Sequence, residues 1–372
     1  MFVNSQKIIN LLEQLAPRKL AEDWDNIGLL IGSEQHEISK IMVVLDIDET
    51  VLVEAIEKNV DLIITHHPFI FKGMKTITDK TYHGRMIRTL IKEDIHVYAA
   101  HTNLDVADNG LNDYLAHLIG LENLTVLNTT KKEPYYKLYT MVPKDSVEVV
   151  EEALYKSGAG RYEHYDQCSF KIEGRGSFRP LEGSNPTIGV VDKREHLDEV
   201  RIEVLVAEQV LDQCIKGLIK AHPYETPAYS VIKIENLSKL QGLGRVGVFR
   251  EALSGRVLIE KMKEILNCEL IRVAGQLPDK VLKVGLCTGA GADFIHKAKL
   301  MGCDVYITGD LKYHEAQLAN QLGLCIFDCG HYETEQIYMT YLAQYLQEKC
   351  LEKNYEVKLI KSESLENPIK VY

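Results

Sequence analysis

The sequence predicts an α/β protein with a duplicated, doubly wound core made of two separated stretches and an α+β, ferredoxin-like domain inserted between them. Three observations predict this. Continuous apolar runs such as residues 41–46 read as parallel strands buried on both faces, and they alternate with segments of helical period. Residues 54–67 match residues 297–310 in pattern and ending, which reads as an internal duplication placing Gly309-Asp310 where His66-His67 stand in the first half. Between the halves, residues 129–237 follow a strand, helix, strand pair, helix, strand order. The expected boundaries are 1–128, 129–237 and 238–372.

The first fifteen residues form an amphipathic helix with polar Asn4, Ser5, Gln6 and Lys7 at its start, unlike a signal or transit peptide. Turn formers around Trp24-Asp25-Asn26 feed a short strand. The run 41–46 is the next strand, and Asp48 opens a helix to residue 57 with Val51, Leu52, Ala55 and Ile56 on one face. Then Ile63-Ile64-Thr65 stops at His66-His67-Pro68. Adjacent strand residues point to opposite faces, so both imidazoles serve one site only after the backbone has left strand geometry, and Pro68 supplies that exit. A helix over 82–92, a strand over 95–100 and the run His101-Thr102-Asn103-Leu104-Asp105 repeat the plan, before Asn109-Gly110 caps another helix.

In the inserted segment the pattern predicts strand 135–142, helix 146–156, two strands over 161–178, strand 201–206, helix 208–221 and strand 229–234. Beyond it, strand 281–287 leads into Thr288-Gly289-Ala290-Gly291 and a helix to residue 301. That glycine turn suits either a phosphate cradle or a tight strand-to-helix connection. Strand 305–308, the run Gly309-Asp310-Leu311-Lys312-Tyr313-His314, strand 324–328 and the loop Cys329-Gly330-His331-Tyr332 come next. A long helix to about residue 350 follows, with Thr334 as its expected N-cap.

Composition is that of a globular chain of 372 residues, 45% hydrophobic and 26% charged. No run spans a bilayer, and a cytoplasmic location is expected. The net charge of -11, with no basic block interleaved with aromatics, opposes nucleic-acid binding. Eight cysteines without a CxxC pair read as buried, reduced, structural thiols.

The strand ends present His66, His67, His101, Asp105, Asp310, His314, His331 and Glu335. Nitrogen and carboxylate donors without thiolate suit Zn, Fe(II) or Mn in a hydrolytic centre, and their number exceeds one tetrahedral site. Two metals sharing a carboxylate would use them. His331 and Glu335, four apart, face one way if a helix begins at His331; with Thr334 as N-cap, His331 sits in the entering loop instead. Asp105 is a ligand, or it caps a helix or forms an Asx-turn. His101 is read as a residue that orients a ligand, ahead of a ligand or a histidine bonded to a backbone carbonyl.

Taken together, Trp24-Asp25-Asn26-x-Gly28-Leu29, Thr65-His66-His67-Pro68, His101-Thr102-Asn103-Leu104-Asp105, Thr308-Gly309-Asp310-Leu311-Lys312-Tyr313-His314 and Gly330-His331-Tyr332-x-Thr334-Glu335 resemble the GTP cyclohydrolase I type 2 homologues, the NGG-interacting factor three family. The resemblance covers both outer portions of the chain. It implies a dinuclear centre of divalent ions with ligands at His66, His67, Asp105, His331 and Glu335, and a toroidal homohexamer. The middle segment, with Gly158-Ala159-Gly160, Gly176-Ser177-Phe178-Arg179-Pro180 and His222-Pro223-Tyr224-Glu225-Thr226-Pro227, resembles the PII-like or CutA-like insert of the longer bacterial members. Such domains commonly trimerise, so a pair of stacked trimers is the expected assembly.

The expected activity is metal-dependent hydrolysis of a nucleotide-like substrate. In that reading His314 or Lys312 supplies the general acid and Asp310 orients water or substrate, while His314 has the alternative of pairing with a neighbouring carboxylate. Two other readings remain: a metal or small-molecule sensor gated by the insert, and a protein-interaction scaffold.

Overall fold

The computed structural model of the protein describes residues 3–370. In its first helix, Ser5–Leu15, Asn4 accepts the Lys7 N–H at 3.1 Å as N-cap, and Ile8, Ile9, Leu11 and Leu12 are buried. Four strands follow: β1 (Gly28–Ile31), β2 (Lys40–Val44), β3 (Leu62–Thr65) and β4 (His96–Ala99). β2, β3 and β4 run parallel, and β1 is antiparallel to β4. Every residue of β3 and β4 is buried, as a continuous apolar run covered on both faces requires. Helices Glu49–Glu57 and Tyr82–Lys92 make the crossovers; Asp48 and Thr81 cap them by accepting the Val51 and Gly84 N–H groups. Helix Leu111–Leu118 differs from expectation at its start. Its N-cap is Gly110, without a side-chain bond, and Asp113 instead reaches back to the Asn109 N–H at 2.6 Å.

The chain divides into two compact units, one formed by the residues up to Lys131 with those from Gln241 onward, the other by Lys132–Leu240. Two long strands, β5 (Glu122–Pro143) and β8 (Tyr229–Leu253), carry the chain across that boundary. In the smaller unit β5 and β8 join β6 (Ser169–Phe178) and β7 (Glu195–Ala207) in the order β6-β7-β5-β8. β7 is antiparallel to both its neighbours, and its Val200, Ile202, Val204 and Val206 pack with helix residues Val150, Leu154, Cys214 and Leu218. Residues 161–168 form no strand beyond an isolated Tyr162–Tyr165 bridge, because Glu163 and Gln167 take φ of 50° and 55°, outside strand geometry. β7 also starts at Glu195, ahead of the expected residue 201.

In the larger unit β9 (Arg272–Ala274), β10 (Val281–Leu286), β11 (Val305–Thr308) and β12 (Cys325–Asp328) build a second sheet. β10, β11 and β12 are parallel, with β8 and β9 antiparallel at either side. β13 (Lys358–Lys361) returns to the first sheet beside β2. Helix Ile337–Glu352 buries Tyr338, Leu342, Leu346 and Cys350 in one core with Ile41, Val43 and Ile64. Against the expectation of eight buried thiols, Cys268 is half-buried and Cys168 is exposed, the latter because it sits on the irregular segment before β6. Among the described residues no helix is long and apolar enough to cross a membrane.

Candidate metal centre

The centre lies in the larger unit, where β2, β3, β4 and β12 end. Four histidines there share one arrangement: an outer acceptor faces Nδ1, which leaves Nε2 facing inward. His66 Nδ1 is 2.9 Å from the Ala100 carbonyl, and His67 Nδ1 is 2.8 Å from Asp46 Oδ2. His101 Nδ1 lies 2.9 Å from Asp25 Oδ1, and His331 Nδ1 lies 2.7 Å from Asp310 Oδ2.

On the inner side the donors converge. His66 Nε2 stands 3.6 Å from Asp105 Oδ1 and 3.8 Å from Glu335 Oε1. Glu335 Oε2 is 2.9 Å from His67 Nε2 and 3.0 Å from His331 Nε2, and those two nitrogens are 3.4 Å apart. The His101 ring centroid is 5.1 Å from that of His66 and 5.6 Å from that of His67. His66 Nε2 and Asp105 Oδ1 are buried without a hydrogen-bond partner. Each such orphan costs about 1–3 kcal/mol, and a cation between them removes that cost. Two groups, His66 with His67 and His101, and His67 with His331 and Glu335, bring their donor atoms within 4.8 Å of one another and could each hold a metal ion.

The protonation equilibria describe the same convergence. Burial, helped by the neighbouring imidazoles, pushes His66 down to about 3. Burial works against His67, but the carboxylates of Asp46 and Glu335 prevail and raise it to about 10. Glu335 and then Asp310 raise His331 to about 9. Burial alone would raise Glu335; its histidine partners instead hold it well below the usual carboxylate range. Asp105, deeply buried, is pushed up to about 7. At neutral pH protons therefore stand where a cation would sit between the His67, His331 and Glu335 donors.

Backbone geometry around β11 and β12 permits this packing. The chain leaves β12 through Gly330 at φ 84° and enters helical geometry at His331, so His331–Glu335 forms one turn and both side chains face the cluster. Thr334 is not the N-cap expected from sequence: its hydroxyl bonds back to the Gly330 and His331 carbonyls, at 2.8 and 3.0 Å. Gly289, at φ 63°, closes the other wall; a Cβ there would lie 2.1 Å from Glu335 Oε1. The Thr288–Gly291 turn thus makes room for Glu335, and its Gly289 N–H is spent on Thr334 Oγ1 at 3.0 Å.

Asp105 sits in the short helix Thr102–Val106, whose N-cap is His101, so its side chain caps nothing. Asp310, expected near water or substrate, touches His331 Nδ1. Lys312 and His314 are exposed at the start of helix Tyr313–Leu322, with His314 Nδ1 3.0 Å from Gln317 and Lys312 Nζ 3.9 Å from Glu315. Sequence reasoning assigned no role to Asp46 or Asp25. Their signal is available in retrospect: Asp46 stands two residues past the end of β2 as His67 stands two past β3, and Asp25 belongs to the Trp-Asp-Asn motif. A further trio, His36, Asp94 and His96, has its two rings stacked at 4.0 Å and 26°, so their in-plane lone pairs do not meet at one point.

Comparison with known proteins agrees with this arrangement of motifs. The family Duf34/NIF3 (NGG1p interacting factor 3) matches residues 3–368. A relative from Bacillus subtilis (strain 168), named GTP cyclohydrolase 1 type 2 homolog, is 43% identical over 98% of each chain. Its namesake from Listeria innocua is 40% identical over the same share. Among solved structures, a Bacillus cereus protein related to NIF3 superposes with a TM-score of 0.92 at 38% identity, with both chains covered completely. Staphylococcus aureus protein SA1388 gives 0.77 at 31% identity, covering 100% of this chain and 99% of that one.

Proposed function

The chain belongs to the Duf34/NIF3 (NGG1p interacting factor 3) family, and within it we propose a hydrolase that uses two divalent metal ions to act on a nucleotide-like substrate. The ligands in this reading are His66, His67, Asp105, His331 and Glu335, with Zn, Fe(II) or Mn as the ions. The observation that carries it is the division of Glu335 between two donor sets, Oε1 toward His66 and Oε2 toward His67 and His331. His101 presents the same inward nitrogen and extends the first set. Bound there, a pair of divalent ions supplies Lewis acidity and makes water nucleophilic near neutral pH.

The chain's own residues perform the remaining tasks. Ala100, Asp46, Asp25 and Asp310 hold the imidazoles in one tautomer and orientation, so the donor field is set before any ligand arrives. Asp310 in this reading is a positioning residue acting through His331. His314 or Lys312 is the proposed proton donor to the leaving group, the first having to release Gln317 and the second Glu315. The guanine nucleotide in the relatives' name makes GTP the first substrate to try. A panel of nucleotides and phosphoesters with Zn(II), Mn(II) and Fe(II) should give turnover that His67→Ala abolishes; turnover persisting in that variant contradicts the assignment.

A second reading, a small-molecule sensor, has its own support in the smaller unit. A cavity of about 680 Å³ there is walled by Met141, Ile172 and Phe178, with Glu199, Arg201 and Tyr224 as polar lining. Saturable ligand binding by the full chain without turnover would favour it. The proposed homohexamer of two trimers draws on the outer strand β6, whose Phe170 and Ile172 are exposed; light scattering in solution tests that assembly.

A further inference from the structure

The tripeptide Trp24-Asp25-Asn26 does two things at once. Asp25 fixes His101 and also accepts the Thr102 N–H at 3.1 Å, while the Asn26 side chain donates to the Ile70 carbonyl. Two loops are thereby tied to the donor cluster as one piece. Trp24, the single tryptophan of the chain, is nevertheless 59% exposed. Beside it Phe71 is 45% exposed, and Met74 and Ile77 on the same loop are open as well. Trp24 and Phe71 are in ring contact, and exposed apolar rings against a polar cluster mark a place where something binds.

The ring geometry says what fits. Trp24 meets Phe71 edge-on with centroids 6.0 Å apart, and meets His101 edge-on at 6.1 Å. From Trp24 the next steps run through His101 to His66 at 5.1 Å and His67 at 5.6 Å. Trp24 is thus linked through a single imidazole, that of His101, to the rings of His66 and His67. Lys72 and Lys75, exposed on the same loop just after Phe71, have no ion-pair or hydrogen-bond partner among the described residues. In a chain of net charge -11 they are a local attraction for an anion.

We propose that the exposed face of Trp24 is the stacking platform, and Phe71, inclined at 63° to it, the side wall, for the planar heterocycle of an anionic, nucleotide-like substrate, with Lys72 and Lys75 meeting its phosphates. This rests on the nucleotide-hydrolase reading given above. Aromatic stacking takes any base, since every base has a π-face, so the platform selects for a planar ring and leaves the choice among rings to other contacts.

Because Trp24 is the only tryptophan, its emission reports the platform directly. Titration of the metal-loaded full chain with GTP should quench that emission saturably, while inorganic triphosphate, which lacks a ring, should not. In equilibrium dialysis Trp24→Ala should weaken GTP binding on the order of tenfold or more, and Trp24→Phe should restore most of it. Both variants should keep wild-type metal content, which separates this test from that of the ligand set. The double variant Lys72→Ala, Lys75→Ala should weaken GTP and triphosphate alike and flatten the salt dependence. Wild-type GTP affinity in metal-loaded Trp24→Ala, or no saturable quenching by GTP, would overturn the platform while leaving the metal reading intact. Emission that changes with protein dilution and not with GTP would also overturn it, by assigning the patch to contact between copies of the chain.

Discussion

The exits of β3 and β11 are built alike and used differently. Each is a fully buried parallel strand ending in a buried threonine, Thr65 or Thr308. After Thr65 come His66 and His67, both with Nε2 turned into the cluster. After Thr308 come Gly309 and Asp310, which offer it no nitrogen. Gly309 gives up side-chain volume instead: a Cβ there would lie 2.6 Å from the His331 backbone nitrogen. Asp310, at φ 56°, reaches past it to hold His331. One exit supplies donors and the other supplies the space and the anchor that deliver donors from β12. Strand pattern therefore locates the site, while the two residues after the strand decide which task that exit takes.

The sharpest way to break this comparison is to remove the group both exits converge on. Glu335→Ala should lose metal and turnover together, and full metal content in that variant would dissolve the shared centre. Gly309→Ala should come next, because the added methyl has no room unless the His331 turn moves; metal content and melting temperature should fall together. Removing the anchor of one histidine on each side, Asp46→Ala for His67 and Asp310→Ala for His331, should each weaken metal binding by about 10- to 100-fold. A loss at one exit alone, read by competition with a chelator, would show that the two anchors are not equivalent.

Acid acts on a histidine at the β3 exit and on the one that the β11 exit anchors. His67 and His331 are raised to about 10 and about 9, so at pH 7 each carries a proton that a metal must displace. Metal uptake should therefore release protons and weaken as pH falls, by about tenfold per unit for each proton displaced. Calorimetry in buffers of different ionisation enthalpy counts those protons.

The smallest effect concerns the helices that lead into the two strands. Glu54, before β3, is buried and accepts from Ser362, Glu363 and Ser364, whereas Lys297, at the matching place before β11, is exposed. Burial alone would raise Glu54, but Lys58 and those donors lower it from 4.5 to about 2. A lowered carboxyl pKa stabilises the fold above the unfolded value and loses that effect as pH falls through the folded one. Glu54→Gln should thus cost about 3 kcal/mol at pH 7, with the gap to wild type closing between about pH 4.5 and 2. Lys297→Gln should cost nothing measurable in the same denaturant titration.

Much of this is legible in the sequence because buried parallel strands leave a continuous apolar signature and their ends are abrupt. The runs ending at Thr65, Ala99 and Asp328 put His66, His101 and His331 at strand exits, and those exits do meet in the structure. What stayed hidden depends on side chains chosen by three-dimensional packing. Asp46 is one more polar residue after a strand until the His67 ring is placed against it. Gly289 belongs to a turn of ambiguous purpose until Glu335 fills the space it leaves. Thr334 has the chemistry of an N-cap, yet Gly330 had already turned the chain into helical geometry at His331.

The division of Glu335 between two donor sets is tested most directly by counting metal. The purified full chain, loaded with Zn(II) or Mn(II) and dialysed, should hold two ions per chain by elemental analysis, and Glu335→Ala should hold neither firmly. One ion per wild-type chain, retained in Glu335→Ala, would contradict a centre in which that carboxylate joins the two halves.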